Sequence, residues 1–212
     1  MDAPPSGITV GEDEVARCWW AAGDPLLRHD HDVEWGRPVS DDDRLFEMLT
    51  LEAFQSGLSW LTILRKREGF RKAFRSFHIG AVARFDSRSV DRLLGDPRIV
   101  RNRAKIEATI GNARRCADLV DEFGGFGPYV WRFEPRARPA PSDWKALVAL
   151  GELPQATAMS QDLKRREWSF VGPTTVHSFM EAVGMVNHHV ARCHVRDEVE
   201  RERAGFRRPL AR

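Results

Sequence analysis

The chain has 212 residues, 42% hydrophobic and 30% charged, a composition typical of one or two folded domains with a hydrophobic core. Lysine and arginine number 33 against 31 acidic residues, so the net charge of +2 neither favours nor excludes nucleic acid as a partner. No apolar run is long enough for a membrane span, and the N-terminus lacks the pattern of a signal peptide. Three cysteines do not suit a disulfide framework, so we expect a cytoplasmic protein.

The chain divides into three predicted segments. Residues 1–14 are rich in proline, glycine and acids and are expected to form a flexible arm. Residues 15–195 are expected to form one functional domain, interrupted by an extended Pro-rich loop from Glu134 to Pro141. Residues 196–212 are expected to form a loose charged tail.

Most of the domain has helical periodicity, which predicts an all-α fold of roughly 8–10 helices. Ser40 and the three aspartates after it predict a helix N-terminus, and this helix should end near Gly57. An apolar stripe from Ile106 to Val120 predicts a long helix. Shorter helices are predicted over about Ser59–Leu64, Ser89–Leu94 and Thr175–Met185.

Glu52 is the polar residue that fits its predicted helix face least well. It follows Leu45 by seven residues and Leu49 by three, so helical spacing places it on the buried stripe. An unpaired carboxylate there is destabilising, and burial raises its pKa. It could cap a neighbouring helix or pair with an arginine. It could also form a pocket with Trp60, since an aromatic face and an acid would suit an extruded cationic base.

Leu58 lies in the turn Gly57–Ser59, between Glu52 and Trp60. A leucine in a turn between two helices is usually a packed hinge. It could instead be a wedge that fills the gap left when a base leaves the duplex. The sequence leaves both roles open for this residue.

Four cysteine and histidine residues from opposite ends of the chain could form a metal site. His189 and Cys193 are four residues apart, a spacing that places both side chains on one helix face. Cys18 and His31 would complete a tetrahedral set, and a closed set of four protein ligands is structural. Three other histidines are close enough in sequence to replace a ligand: His29, His188 and His194. Because cysteine is also a common core residue, spacing alone does not decide the matter.

A basic turn joins two predicted helices between Leu93 and Lys105. Its basic residues fall within eight positions: Arg98, Arg101, Arg103 and Lys105. A helix that begins near Arg103 would present free N–H groups, which together with basic side chains suit a DNA phosphate. A solvated charged loop is the alternative. The sequence contains none of the usual motifs for nucleotide hydrolysis, dinucleotide binding or esterase chemistry.

Several segments together resemble one family. In chain order these segments are Cys18–Trp20, Asp24–Leu26, His31–Gly36, Leu45–Glu52, Gln55–Trp60, Asn112–Arg114, Phe170–Gly172, Ser178–Met180 and Val186–Val190. On these residues the chain resembles the bacterial DNA-3-methyladenine glycosylase type I family. The resemblance covers about residues 17–194, and its most specific parts are Leu45–Trp60 and the final His-x3-Cys pair.

The resemblance implies an all-α helix-hairpin-helix DNA glycosylase architecture, with a zinc site that joins the N- and C-terminal segments. One structural Zn²⁺ would be bound by Cys18, His31, His189 and Cys193. Glu52 would be the catalytic residue, and it would bind the base together with Trp20 and Trp60. The DNA contacts would be made by Leu58, Arg101, Arg103 and Lys105.

The sequence departs from the family pattern at several positions. The family has a tyrosine immediately before its first histidine ligand, whereas this chain has Asp30, which we include among the base-binding residues. An aspartate could favour a cationic base, select a different lesion or activate water. Pro97, Arg98 and Ala104 lie where the family often has glycine. His177 replaces a position that is commonly aromatic.

The resemblance implies a monofunctional enzyme that flips 3-methyladenine out of alkylated double-stranded DNA and hydrolyses its N-glycosidic bond, leaving an abasic site. The alternatives are a glycosylase of the same fold that acts on another lesion because of Asp30, and a zinc-stabilised protein that binds damaged DNA without cutting it. A helical protein with no special feature beyond its metal site is a third. One domain acting on DNA predicts a monomer.

Overall fold

The computed structural model describes residues 4–136 and 141–210, and this part of the protein is mostly helical. Two short strands come first, β1 at Ile8–Val10 and β2 at Ala16–Cys18. One-turn 3₁₀ helices lie at Trp19–Ala21 and Arg75–Phe77. The α-helices of the described residues are α1 Pro25–Val33, α2 Asp42–Gln55, α3 Trp60–Ala73, α4 Ile79–Val82, α5 Ser87–Leu94, α6 Arg103–Phe123, α7 Phe126–Trp131, α8 Trp144–Ala149, α9 Pro154–Arg165, α10 Pro173–Ala182 and α11 Arg196–Gly205.

The described N-terminal residues form a β-hairpin, which adds two short strands to the expected all-α fold and places regular structure within the arm predicted over residues 1–14. Residues 1–3 of that arm lie outside the described residues. Strand β1 pairs antiparallel with β2, and Ile8 lies opposite Cys18. The turn between them is braced by Arg17, whose guanidinium lies 2.8 Å from the carboxylate of Asp13. The hairpin therefore delivers Cys18, which is buried, into the interior of the protein.

Helix α2 is the central element of the fold. The carboxylate of Asp41 caps it by accepting the N–H of Arg44 at 2.9 Å, one residue later than the Ser40 cap predicted from the sequence. Every residue from Leu45 to Phe54 is buried, so α2 is covered on all sides rather than along one stripe. A carboxylate on any face of this segment is consequently inside the protein.

The other predicted helices form close to their expected positions. Helix α3 begins after Ser59, whose hydroxyl accepts the N–H of Thr62 at 3.2 Å. Helix α6 contains the predicted apolar stripe and ends at Gly124, where a φ of 78° needs glycine. Helices α5 and α10 both begin two residues earlier than expected. Asp86 caps α5, and Pro173 occupies the first position of α10, which its fixed φ favours.

The charged C-terminal segment forms a helix, so the expectation of a loose tail is wrong for residues 196–205. Helix α11 completely buries Val199. Arg203 fixes its far end by donating to the carbonyls of Gly184 and Met185 at 2.8 and 2.9 Å. The helix thereby covers the residues that follow α10.

The Pro-rich segment predicted as an extended loop is described only in part, because residues 137–140 lie outside the described residues. At its start, Glu134 pairs with Arg208 at 2.8 Å.

Across residues 4–136 and 141–210 the structure contains no helix with the length and apolar character needed to cross a membrane.

Aromatic side chains fill the core between α2 and α3. Phe54, Phe70, Phe74 and Phe77 are fully buried. The ring centroids of Phe54 and Phe70 lie 4.6 Å apart, and those of Phe74 and Phe77 lie 5.5 Å apart. Such packing is rigid, so it fixes the end of α2 against the C-terminal half of α3. The turn that joins these two helices is the rim of the site described next.

Candidate functional site

Helices α2, α3 and α10 and the turn Trp19–Ala21 border a cavity of about 510 Å³. The structure brings together three side chains that the sequence predicted for one pocket, namely Trp20, Glu52 and Trp60. The remaining lining residues are Leu27, Trp35, Gln55, Ser59, Leu61, Ser178 and Glu181. Aromatic rings and two carboxylates therefore dominate the walls, a composition suited to a planar cation.

Glu52 is 7% exposed, as its helical position predicted. Among the hydrogen bonds of the described residues, none involves its carboxylate, so neither of the structural roles considered for it is seen. Burial, together with the negative charges of Glu181 and Asp30, raises the pKa of Glu52 to about 8. A buried carboxylate without a partner at the wall of a cavity is costly to the fold, and a cationic ligand would offset that cost.

Asp30 lies behind Trp60 and does not line the cavity. Its Oδ2 accepts the indole N–H of Trp60 at 2.8 Å, and its Oδ1 lies 3.3 Å from the guanidinium of Arg67. Burial raises the pKa of Asp30, while the Trp60 hydrogen bond and the charge of Arg67 oppose that rise. Asp30 was predicted to bind the base, and the structure places its carboxylate against the indole N–H of Trp60, an aromatic wall of the pocket.

Glu181 is a pocket residue that the sequence argument missed. Its carboxylate Oε1 lies 2.5 Å from Nδ1 of His188 and 3.4 Å from Nε2 of His177. Although burial acts in the opposite direction, hydrogen bonds from the two imidazoles lower the pKa of Glu181 to about 2. The signal was a His-x3-Glu spacing on α10, which places His177 and Glu181 on one helix face.

Cys18, His31, His189 and Cys193 converge in a buried group that could hold a metal ion, as predicted. Sγ of Cys193 lies 3.4 Å from Nε2 of His31 and 3.5 Å from Nδ1 of His189, and Sγ of Cys18 lies 3.8 Å from that same nitrogen. Four ligands at the bond lengths usual for zinc in a tetrahedron lie about 3.3 to 3.8 Å from one another. Both the donor set and its spacing therefore fit a tetrahedral ion.

The pKa values of the two thiols in this group are shifted in opposite directions. Hydrogen bonding from Cys18 and from the histidines lowers the pKa of Cys193, although burial opposes this. Hydrogen bonding to Cys193 and burial raise the pKa of Cys18. One thiolate is thus stabilised inside the group, and thiolate is the form that binds metal.

Asp32 orients one of the potential ligands from outside the group. Its Oδ1 lies 2.8 Å from Nδ1 of His31, which leaves Nε2 of that ring to face the cysteines. The same carboxylate pairs with Arg17 at 2.9 Å and with His194 at 2.9 Å. Hydrogen bonds from these groups hold the pKa of Asp32 well below its usual range, although burial acts against them. A carboxylate bonded to the outer nitrogen of a histidine is typical of metal ligands.

Leu58 is 41% exposed at the tip of the turn between α2 and α3. Gly57 precedes it with a φ of 81°, a conformation that strains other residues. The same turn borders a second cleft of about 210 Å³ that also contacts Glu52 and Ser178. An exposed leucine beside an opening that leads to the buried carboxylate fits the predicted wedge better than a packed hinge.

Lys105, one of the predicted DNA contacts, points into the protein. The side chain is buried, and its amine donates to the carbonyls of Phe54 and Ser56 at 2.9 and 2.6 Å. Both bonds satisfy carbonyls at the C-terminal end of α2, which lack partners within the helix. The amine is therefore not available to a phosphate, and it supports the turn that carries Leu58.

The other basic residues of the α5–α6 turn remain at the surface. Arg101 is exposed. Arg103 pairs with Glu107 at 3.1 Å and Asp91 at 3.3 Å, and Arg98 pairs with Asp96 at 2.7 Å. Exposed ion pairs are weak, so these guanidinium groups could exchange their carboxylates for another anion.

Phe170 is another exposed apolar residue, which the sequence analysis named only as part of a family segment. It is 39% exposed, and its φ of 58° is unusual for a residue with a side chain. Asn112 fixes the preceding residue, since its amide donates to the carbonyl of Ser169 and accepts the N–H of Ser169, both at 2.9 Å. The hydrogen bonds of Asn112 therefore help to hold the side chain of Phe170 at the surface.

These geometric features occur in a known family. The methyladenine glycosylase family model matches residues 20–197 of the chain. The chain belongs to the methyladenine glycosylase family. The matched residues include the whole pocket, and the resemblance seen in the sequence is thereby confirmed.

Relatives at moderate identity extend over most of this family member. It is 42% identical over 186 residues to DNA-3-methyladenine glycosylase 1 of Escherichia coli K12, covering 84% of this chain and 96% of the relative. It is 34% identical over 182 residues to DNA-3-methyladenine glycosylase of Haemophilus influenzae, covering 84% and 97%.

Solved structures agree with the sequence relatives. A crystal structure of a 3-methyladenine DNA glycosylase I superposes with a TM-score of 0.78 at 39% identity, covering 84% of this chain and 98% of that one. The corresponding enzyme from Staphylococcus aureus, described for its recognition of 3-methyladenine, gives a TM-score of 0.78 at 34% identity, covering 85% and 96%. Over the covered 84–85% of this chain the fold is therefore similar to that of the family.

Proposed function

We propose that this protein excises 3-methyladenine from alkylated DNA by hydrolysing the N-glycosidic bond, leaving an abasic site. The observation that carries the proposal is Glu52, a buried carboxylate without a partner among the described residues, at the wall of a cavity between Trp20 and Trp60. The names of the relatives from Escherichia coli and Haemophilus influenzae support the same substrate.

The proposed chemistry begins with binding. The alkylated base leaves the duplex and enters the cavity, where Trp20 and Trp60 supply aromatic surface and Glu52 bonds to its edge. Asp30 holds the indole of Trp60 through its N–H, which keeps that wall in place before the base arrives. Leu58 would occupy the space that the base leaves in the duplex.

Bond breakage then needs little acid catalysis. Alkylation at N3 makes the purine a cation, which is already a good leaving group. As the bond to the sugar weakens, positive charge moves towards the anomeric carbon, and the carboxylate of Glu52 stabilises that charge. A water molecule attacks this carbon and loses a proton to the solvent, while the electron pair of the broken bond leaves with the base, which is thereby neutral.

A hydrolysis that stops at the abasic site is supported by the lysines near the α5–α6 turn. A lyase that forms a Schiff base needs an amine free to attack the sugar. Here the amine of Lys66 donates to the carbonyl of Pro97 at 2.8 Å, and the amine of Lys105 donates to two carbonyls of the α2 end. Neither is free for such an attack.

We infer that the ion suited to the cysteine–histidine group is one structural Zn²⁺. Two thiolates and two imidazoles are the donors that zinc prefers, and four protein ligands leave no position for a reacting water. By coordination to its four ligands, the bound ion would link the N-terminal hairpin, α1 and the segment after α10. Its residues would act on the pocket only by holding α1, which carries Asp30 next to His31.

We further infer that the α5–α6 turn is the hairpin of a helix-hairpin-helix motif that contacts the DNA backbone. Arg101 and Arg103 are exposed at this turn, and the N-terminus of α6 begins there. The turn is anchored to α3, because Gly69 lies so close to the Arg98 carbonyl that an added Cβ would be 2.5 Å from it. This anchor ties a DNA-binding turn to the helix that carries Trp60.

The test is base release from DNA treated with a methylating agent, with the freed bases separated by chromatography. The wild-type protein is expected to release 3-methyladenine, and Glu52→Gln is expected to lower the rate by about 100-fold or more. Equal DNA binding by both proteins would show that the variant has lost chemistry and not recognition. Binding without release by either protein would contradict the enzyme, and release of a different base would contradict the lesion.

A further inference from the structure

Glu181 gives the pocket a second carboxylate, on the wall formed by α10. It lines the base cavity together with Glu52, and its side chain is 20% exposed, whereas Glu52 is 7% exposed. It also borders a neighbouring cavity of about 360 Å³, so its carboxylate lies at the boundary between two openings. No role assigned above to the pocket uses this residue.

The two carboxylates have different environments and therefore different charges. Glu52 has no hydrogen bond within the described part of the chain, and burial favours its neutral form. Glu181 is held by two imidazole N–H groups, which favour the anion. The two imidazole contacts therefore make Glu181 the carboxylate of this pocket that favours its anion, whereas burial shifts Glu52 towards its neutral form.

His177, Glu181 and His188 have ligand atoms close enough together to bind one metal ion. Hydrogen bonding between the imidazoles and the carboxylate explains this cluster better. The backbone N–H of Leu153 donates to Nδ1 of His177 at 3.1 Å. A neutral imidazole whose Nδ1 accepts a hydrogen bond must have its proton on Nε2. Nε2 is the atom that faces Glu181, so this ring donates to the carboxylate and has no lone pair there for a metal.

The contacts also leave one carboxylate oxygen for a ligand. Both imidazoles contact Oε1 of Glu181. Among the hydrogen bonds of residues 4–136 and 141–210, none involves Oε2. Two donors on one oxygen fix the direction of the group without using the other oxygen, which can accept a hydrogen bond or face a positive charge.

The geometry points to Glu181 as the specificity residue of the pocket. Because of this residue, the pocket selects N-alkylated purines, which carry a formal positive charge, over neutral purines of the same shape. This inference rests on the proposed function, since it names the class of base that the enzyme accepts. A fixed anion attracts a cation before any bond is broken, and it gives a neutral base no equivalent gain. Glu52, neutral in the empty pocket, responds to the same cation by losing its proton.

The experiment compares two small probes of similar shape. The first is 3,9-dimethyladeninium, a fixed cation with a methyl group in place of the sugar, and the second is neutral 9-methyladenine. Binding is measured at pH 7 by tryptophan fluorescence, because Trp20 and Trp60 line the cavity. Wild-type protein is expected to prefer the cation at least tenfold, and Glu181→Gln is expected to lower that preference about tenfold.

Two further variants separate charge from shape. Glu181→Asp keeps the negative charge and should retain most of the preference, even if Glu181→Gln does not fold. Glu152→Gln is the matched control, since Glu152 borders the neighbouring cavity but not the base cavity, and it should leave the preference unchanged. An unchanged preference in Glu181→Gln, or an equal loss in Glu152→Gln, would overturn the inference.

Base release from methylated DNA is measured in parallel with the same proteins. If wild-type protein releases 3-methyladenine but shows no preference for the cationic probe, or does not bind it, the inference fails while the proposed function stands. If wild-type protein prefers the cation in a manner that depends on Glu181 but releases no base, the proposed function fails while the pocket retains its specificity.

Discussion

The cysteine–histidine group and the base pocket are neighbours in the fold, joined where Asp30 and His31 follow one another in α1. In the first region each buried polar atom faces another ligand or a partner such as Asp32. In the second, Glu52 has no hydrogen bond among the described residues, and its pKa is raised as a result. Polar groups that are satisfied inside the protein stabilise it, whereas a group left unsatisfied is held ready for a ligand.

The largest expected effect is a loss of thermal stability when the cysteine–histidine group is disrupted. Replacing one ligand in Cys193→Ser, or removing the metal with a chelator, should lower the melting temperature by about 10 °C or more, because metal binding contributes directly to folding. Calorimetry with a metal assay checks this, and Cys116→Ser, at a buried cysteine outside the group, is the control. The zinc proposal would be contradicted if the purified protein contained no metal and its melting temperature did not change on addition of a chelator.

Changing the second region should have the opposite effect on stability. The pKa of Glu52 is about 8 in the folded protein against 4.5 for an exposed glutamate, so between these values the unfolded chain has lost a proton that the folded protein keeps. The contribution of Glu52 to stability therefore falls as the pH rises from 4.5 to 8, and Glu52→Gln should remove this fall, which is roughly 5 kcal/mol at about 1.4 kcal/mol per pKa unit. Urea unfolding at pH 5 and pH 8.5 measures it, and equal pH dependence in both proteins would refute the burial argument.

The same titration should appear in catalysis. If the ionised form of Glu52 stabilises the transition state, kcat/KM should rise about tenfold per pH unit below pH 8 and level off above it. Glu52→Gln should give a slow and flat profile. A profile that falls through pH 8 would mean that the protonated form acts, as a hydrogen-bond donor to the base.

Asp30 sharpens the comparison because it lies between the two regions. Asp30→Asn should keep an acceptor for the Trp60 indole and lose the charge that faces Arg67, so KM should rise by about fivefold with a smaller change in kcat. Steady-state kinetics on methylated DNA make the measurement, and a loss of kcat as large as that of Glu52→Gln would restore a direct role at the base.

The smallest effects are expected at the surface turn. Lys105→Met removes two hydrogen bonds to the end of α2 and should destabilise the protein by about 1–2 kcal/mol, while the salt dependence of DNA binding stays the same. Arg101→Ala should do the reverse, leaving stability unchanged and lowering the slope of log affinity against log salt by about one. If both variants changed the salt slope, Lys105 would be a DNA contact after all.

Much of the site could be predicted because local spacing reports which helix face a residue occupies. Glu52 lies three and seven residues from apolar neighbours, and this pattern alone placed it inside the protein. Spacing alone left His29, His188 and His194 open as ligands, so the four metal-binding candidates were selected through the resemblance to a family. The helices followed from periodicity, and their starts shifted by only one or two residues, as where Asp41 caps α2 instead of Ser40. Their ends were less well predicted, since α3 continues to Ala73, well beyond the predicted Leu64.

The sequence by itself determined the helical fold and the buried position of Glu52, while the cysteine–histidine set was named through the resemblance to a family. Only the tertiary structure decided the partners: Lys105 faces carbonyls and not solvent, Asp30 lies behind Trp60, and Glu181 meets two histidines at the wall of the cavity. The physical reason is range. Helical spacing is a local property of the chain, whereas the charge and hydrogen bonding of a buried group depend on residues that approach it from other elements.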